Sequence, residues 1–222
     1  MLVASSPLSW TSGEGSGTLL IMSTAAVDIG AAIAAERVEL AGVLDRLSEA
    51  QWDAPSLCDG WRVREVAAHM SMGFRYSFGR TALELVRAGG RLHRMTDRVA
   101  RRDAAALSPR ELAAALRDNA AHPWGPPVGG RAAALGHDVV HGLDITVALG
   151  LGRRVPEERL RIVLDTVAPR TLRFFGARLD GVELRATDLD WSYGSGRTVA
   201  RPAQELLLLA YGRRVPGADP VR

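Results

Sequence analysis

RAAALGHDVVHGLDITVAL, residues 131–149, reads as one helix in which two histidines stand four positions apart among Ala, Val, Leu and Ile. At about 100° per residue, His137, His141, Asp144 and Ala148 share a narrow stripe. Ala134 and Ile145 flank it on one side and Val140 and Val147 on the other, so the stripe faces inward. Imidazoles one turn apart have Cβ atoms about 5–6 Å from each other and can converge on a cation with bonds of about 2.0–2.1 Å. Taken alone, the pair reads equally well as two core histidines satisfied by ordinary hydrogen bonds.

A third ligand shifts that balance. His69, in VREVAAHM (63–70), lies within a second helical pattern with Val66 and Met72 beside it, and Arg62, Glu65 and Tyr76 share its side of the wheel. Three imidazoles from two helices of a bundle leave a tetrahedral ion one open position, the arrangement of a catalytic site. Glu65 and Tyr76 are candidate acid or base groups by wheel position. His93, set among arginines, and His122, before a Pro-rich loop, read as surface residues. Asp144, near His141, is a candidate to orient that ring from behind the ligand atom, with an arginine such as Arg62 as its alternative partner. Cys58 precedes the His69 helix, where a partial positive charge would favour thiolate, yet a small buried side chain locking the loop explains it more simply. Trp52, Trp61 and Trp191 read as packing residues.

The rest of the chain is mainly α. Ile33, Leu40, Leu44 and Leu47 return at helical spacing over 27–47. A loop with Pro55, Cys58 and Gly60 follows, then a helical pattern over 62–88 with a break near Gly79, and a further helix over 92–105. Ser108 and Glu111 form a capping-box signature for the next helix, HPWGPPVGG (122–130) is a loop, and Pro156 stands as a first helical residue. After Gly181 the period becomes two, with Val182, Leu184 and Ala186 on one face, and Leu189, Trp191 and Tyr193 repeat it. Two short strands and a helix from Pro202 to Tyr211 make a small α/β tail.

Composition narrows the function. The 222 residues suffice for one well-buried domain with an appendage. All 28 basic residues are Arg, the signature of a high-GC genome, which points to an actinobacterial source. A net charge of +3 needs no nucleic-acid partner, and the Arg residues of RLHRMTDRVARR (91–102) fall on several helix faces. The single Cys58 excludes an internal disulfide and fits a reducing cytoplasm. No run of about 18 apolar residues is present, so no membrane partner is expected. Residues 1–22 lack a basic and apolar leader pattern and are expected to form a disordered tail, with Met22 a candidate start.

Three blocks, LSEAQWDAPSLCDGWRVREVAAHM (47–70), HDVVHGLDITVALG (137–150) and LRATDLDWSYGSG (184–196), resemble the DinB-like superfamily in its branch of mycothiol-dependent maleylpyruvate isomerases. The resemblance covers nearly everything after Met22. It implies a DinB-like four-helix bundle over 26–178 and a short C-terminal α/β segment over 179–222. It places metal ligands at His69, His137 and His141, with Zn²⁺ as the expected divalent metal. Members of the isomerase branch often carry Glu at the position of His137, whereas other DinB-like proteins carry His, so the site here is more positive by one charge. The implied cosubstrate is mycothiol, whose thiol, with a free pKa of about 8.5, is deprotonated by coordination. The implied activity is isomerisation or S-transfer on a small-molecule electrophile or dicarboxylate. The alternative is a non-catalytic metal-binding bundle that binds a small molecule or partner. Metal affinity is expected to fall as pH drops through about 6.5, where free His protonates.

Overall fold

The structure, a computed structural model, describes residues 28–215 and 217; the tail expected over 1–22 lies outside the described residues. The element order is α1 (Ile29–Leu44), α2 (Glu49–Trp52), α3 (Val63–Arg75), α4 (Phe78–Arg87), α5 (Leu92–Ala106), α6 (Pro109–Asp118), α7 (Gly130–Thr146), α8 (Glu157–Leu164), α9 (Pro169–Phe175), β1 (Val182–Ala186), β2 (Ser192–Gly194), β3 (Arg197–Arg201) and α10 (Ala203–Ala210). The chain is mainly helical, as the periodicity predicts. Helix α1 packs on α6 and α7, and α3 packs on α6 and α7, which makes these four the bundle, with α5 outside against α3.

Local chemistry sets the helix ends. Asp28 Oδ1 accepts from the Gly30 amide at 2.8 Å and starts α1. Ser108 and Glu111 form the expected capping box on α6, with Pro109 at the first helical position. Ser48 and Gln51 form another around the short α2, which periodicity alone did not show because it holds barely one turn. The expected helix over 62–88 does break, but at Tyr76, not Gly79. Tyr76 is extended (φ −111°, ψ 128°) with its hydroxyl donating to Asp103, and the Ser77 side chain caps α4. Pro156 is the cap of α8, one residue before the position expected.

Among the described residues the tail has three strands, not two, in the order β2-β1-β3, with β2 antiparallel and β3 parallel to β1. β3 escaped the sequence reading because RTVAR turns only Val199 fully inward, too little for an alternation. Leu184 lies opposite both Tyr193 and Val199. The crossing from β2 to β3 passes the start of β1, where the Gly181 carbonyl accepts the Arg197 amide at 2.9 Å. Gly196 has φ +115°, and a Cβ there would overlap that carbonyl. Gly196→Ala should therefore cost about 2 kcal/mol or more, from left-handed strain plus the clash, read as a lower urea midpoint. An unchanged midpoint would refute this account of the crossing.

Leu184 and Val199 of the sheet, Leu206 and Leu207 of α10, and Leu135 and Val139 of α7 belong to one buried cluster that also reaches Ile33 of α1. The sheet thus buttresses α7 from one side. A second cluster, including Leu40, Leu44, Val63, Met70, Leu112 and Leu116, fills the space among α1, α3 and α6. Between them, α7 is held at a fixed distance from α3. No helix among the described residues is long and apolar enough to cross a membrane.

Candidate metal centre

Helices α3 and α7 bring His69, His137 and His141 together. Their ring centroids lie 5.0 Å (69–137), 4.9 Å (69–141) and 4.7 Å (137–141) apart, with planes inclined at 57°, 86° and 80°. Rings so inclined do not stack, and one nitrogen of each ring lies within 4.8 Å of a nitrogen of the other two. His69 Nε2 and His137 Nε2 stand 3.2 Å apart. A tetrahedral ion with metal–nitrogen bonds of about 2.0–2.1 Å requires ligand atoms about 3.3–3.4 Å from one another; the His69–His137 pair matches that spacing, and the ligand atoms of all three histidines lie within 4.8 Å of one another. The side chains of His137 and His141 are 11% and 13% exposed, enough to leave the centre reachable.

Two of the rings are fixed from behind. His141 Nδ1 donates to Asp144 Oδ2 at 2.9 Å, and His137 Nδ1 donates to Asp138 Oδ1 at 2.9 Å. An ionised carboxylate can only accept, so each Nδ1 carries the proton and each Nε2 presents a lone pair to the centre. Each carboxylate is in turn neutralised. Arg213 donates to both Asp144 oxygens, at 2.8 and 2.9 Å, and buried Arg37 donates to Asp138 Oδ2 at 2.7 Å. Burial would raise the Asp144 carboxyl, but the bonds from His141 and Arg213 outweigh it and hold it well below the usual carboxylate range. Burial pushes His69 well below its ordinary value, helped by the neighbouring imidazoles, and lowers His141 despite its bond to Asp144. His69 Nδ1 is buried and has no hydrogen-bond partner among the described residues, so of the three rings this one is set by packing.

The pairing of Asp144 resolves the alternatives left by the sequence: it holds His141 and an arginine at once. That arginine is Arg213, not Arg62, which instead pairs with Asp53 and Glu65. Glu65 is spent on capping α3, accepting the Arg62 amide at 2.8 Å, and Tyr76 on Asp103, so neither faces the centre. His93 lies beside Phe174 and His122 beside Phe74, both away from the trio. Trp61 lines the site with its ring 5.2 Å from His69 while its Nε1 donates to Asp97 at 2.8 Å.

Asp138, Arg37, Arg213 and Trp124 were not singled out from sequence. Asp138 adjoins His137 and so falls off the stripe on the wheel, and the two arginines are remote in the chain. Trp124 sits in the 119–129 loop, its ring 5.1 Å from His137, over Gly73 of α3, where any Cβ would overlap the indole. Arg37 secures that loop by donating to the carbonyls of His122 (2.7 Å), Ala120 (3.2 Å), Asn119 (3.3 Å) and Trp124 (3.3 Å).

Cys58 forms a second donor group with His141 and Asp144. Its thiol donates to Asp144 Oδ2 at 2.9 Å, and Arg213 reaches both, so a guanidinium already supplies the positive charge there. Burial and the Asp144 carboxylate push the thiol far up, against the thiolate a helix start would favour. Cys58 is a protonated structural donor. Cys58→Ala should leave any metal-dependent turnover at the centre within about twofold, because Asp144 keeps its other partners; loss of activity with metal retained would overturn this.

Residues 33–123 match the family model described as Mycothiol maleylpyruvate isomerase N-terminal domain. That stretch holds Arg37 and His69, while His137 and His141 lie beyond it. Among solved structures, the crystal structure of the mycothiol-dependent maleylpyruvate isomerase superposes with a TM-score of 0.50 at 16% identity, covering 85% of this chain and 90% of that one. A histidine-to-alanine mutant of it gives 0.49 at 15% identity with the same coverage. At such identity the first of these likenesses shows the shared fold. No curated protein matches the sequence. Over residues 33–123 the chain is thus similar to mycothiol maleylpyruvate isomerase N-terminal domains.

Proposed function

We propose that the protein binds a divalent cation, Zn²⁺ by preference, through His69, His137 and His141, and uses it to activate a low-molecular-weight thiol, mycothiol, in an isomerase or S-transferase reaction. The observation that carries the reading is the convergence of three imidazoles, two with Nδ1 committed to a carboxylate so that Nε2 is left as a donor. The family match supplies the thiol. A bound cation at a neutral three-nitrogen site supplies thiolate at neutral pH by lowering the pKa of the sulfur it contacts.

The chain's own residues do the rest. Asp138 and Asp144 fix the tautomers and orientations of His137 and His141 and keep their Nε2 atoms basic. Arg37 and Arg213 neutralise these carboxylates without competing for the imidazole nitrogens. Trp61 and Trp124 wall the centre with apolar surface, which lowers the local dielectric and strengthens a thiolate's attraction to positive charge. The thiolate would add to an activated carbon–carbon double bond, permit rotation and leave, or remain with the product as a conjugate. Three neutral ligands rather than two and a carboxylate leave the centre more positive, which favours an anionic thiol or carboxylate substrate.

The test is consumption of mycothiol with an electrophile such as a cis-enedioate by purified protein, with and without metal. Metal-dependent turnover supports the enzyme. Stoichiometric metal binding with no turnover across isomerisable and conjugating electrophiles would leave a binding module instead.

A further inference from the structure

Helix α4 is built inside out. On a wheel of about 100° per residue its protein side carries Thr81, Glu84, Leu85 and Ala88, and its solvent side carries Phe78, Ala82, Val86, Gly79 and Leu83 over an arc of about 140°. Phe78 is 91% exposed, Val86 74% and Leu83 48%, whereas Glu84 is 3% exposed. Glu84 is fastened by Arg98 and by Arg102 at 2.9 Å, so the buried charge fixes the helix with its apolar face outward. Amphipathicity normally runs the other way, and a face of this kind implies a cover.

The rim of that face is basic. Arg80 and Arg87 border the apolar arc, and Arg91 and Arg94 follow at the start of α5 beside half-exposed Leu92. Between Ser77 and Thr96 the single acid is Glu84, already spent, and Arg80, Arg91 and Arg94 pair with no carboxylate among the described residues. We propose that α4 and the start of α5 form a docking face for an anionic lipid bilayer, with Phe78, Leu83 and Val86 entering the acyl boundary and the arginines meeting lipid phosphates. A bilayer accepts a convex apolar ridge without a matching groove, and its negative surface complements the rim. Two copies joined through this face by a twofold axis would set arginine against arginine, so self-association is disfavoured. Such contact needs no spanning helix, and it revises the expectation that the chain has no membrane partner.

The full-length protein is tested by co-sedimentation with vesicles of phosphatidylglycerol and phosphatidylcholine, and with vesicles of phosphatidylcholine alone. Binding to the anionic vesicles only is expected, falling about tenfold in Phe78→Ser/Val86→Ser and in Arg91→Gln/Arg94→Gln, and falling for the wild type at about 0.5 M salt. The altered side chains are exposed, and circular dichroism checks that the variants fold. Absence of binding to anionic vesicles, equal binding by wild type and both variants, or salt-insensitive binding overturns the proposal. So does a dimer in sedimentation that Phe78→Ser dissociates, or an acidic protein that competes for the face while vesicles do not.

Discussion

His141→Ala and His137→Ala are each expected to abolish tight metal binding. Apparent binding energies of about 10–16 kcal/mol for a four-ligand zinc site correspond to roughly 3 kcal/mol per ligand, or a loss of about 150-fold on removing one. His141→Ala also strips Asp144 of a partner, though Arg213 still holds that carboxylate, so the fold should persist. Elemental analysis after chelator competition reads the effect directly, and unchanged stoichiometry in either variant would falsify the three-histidine centre. Asp138→Asn should be milder, about 10- to 100-fold in affinity, because the amide oxygen can still accept from His137 but no longer raises its basicity. Proton competition follows from the lowered pKa of His69 and His141: both rings stay neutral below the ordinary value of 6.5, so metal loss sets in at a lower pH than the sequence alone suggests. The metal-free protein shows the converse. Its unfolded imidazoles take up protons near 6.5 while the folded ones do not, so stability is lost as pH falls below about 6.5 towards the folded values, and these two groups leave it flat above. Urea midpoints of metal-free protein at about pH 7.5 and 5.5 check the sign, and a higher midpoint at the lower pH would contradict it.

What was legible in the sequence was what repeats within a turn. His137, His141 and Asp144 recur at helical spacing, so one stretch of 19 residues gave the α7 stripe and its inward direction. His69 could be paired with them only by supposing that α3 and α7 are neighbours, which the long-range core now provides. The partners of the two carboxylates were illegible for the same reason: Arg37 lies 101 residues from Asp138 and Arg213 lies 69 from Asp144. Asp138 shows a further limit of the helical wheel. It points away from the stripe by about 100°, yet the adjacent ring of His137 turns its Nδ1 back to meet it. The inside-out face of α4 also eluded periodicity, which reports an apolar arc but not whether it is covered.

Arg37→Met is expected to be the most destabilising single change at the site, costing about 3–5 kcal/mol. Arg37 is completely buried and gives hydrogen bonds to five groups, so removing its charge strands Asp138, which is 1% exposed, with only the His137 Nδ1–H for company. Four carbonyls of the 119–124 loop lose a donor at the same time, though those near the surface can turn to water, which is why the estimate is not higher. The same residue therefore ties α1, His137 and the Trp124 wall into one cooperative unit. Because the penalty comes chiefly from an unpaired buried carboxylate, Asp138→Asn in the Arg37→Met background should recover about 1–2 kcal/mol of it, a coupling that a purely packing role for Arg37 would not produce. Urea unfolding of the two single variants and the double variant, all metal-free, measures that coupling. A loss below about 1 kcal/mol in Arg37→Met, or strict additivity in the cycle, would mean that the Arg37–Asp138 pair does not support His137.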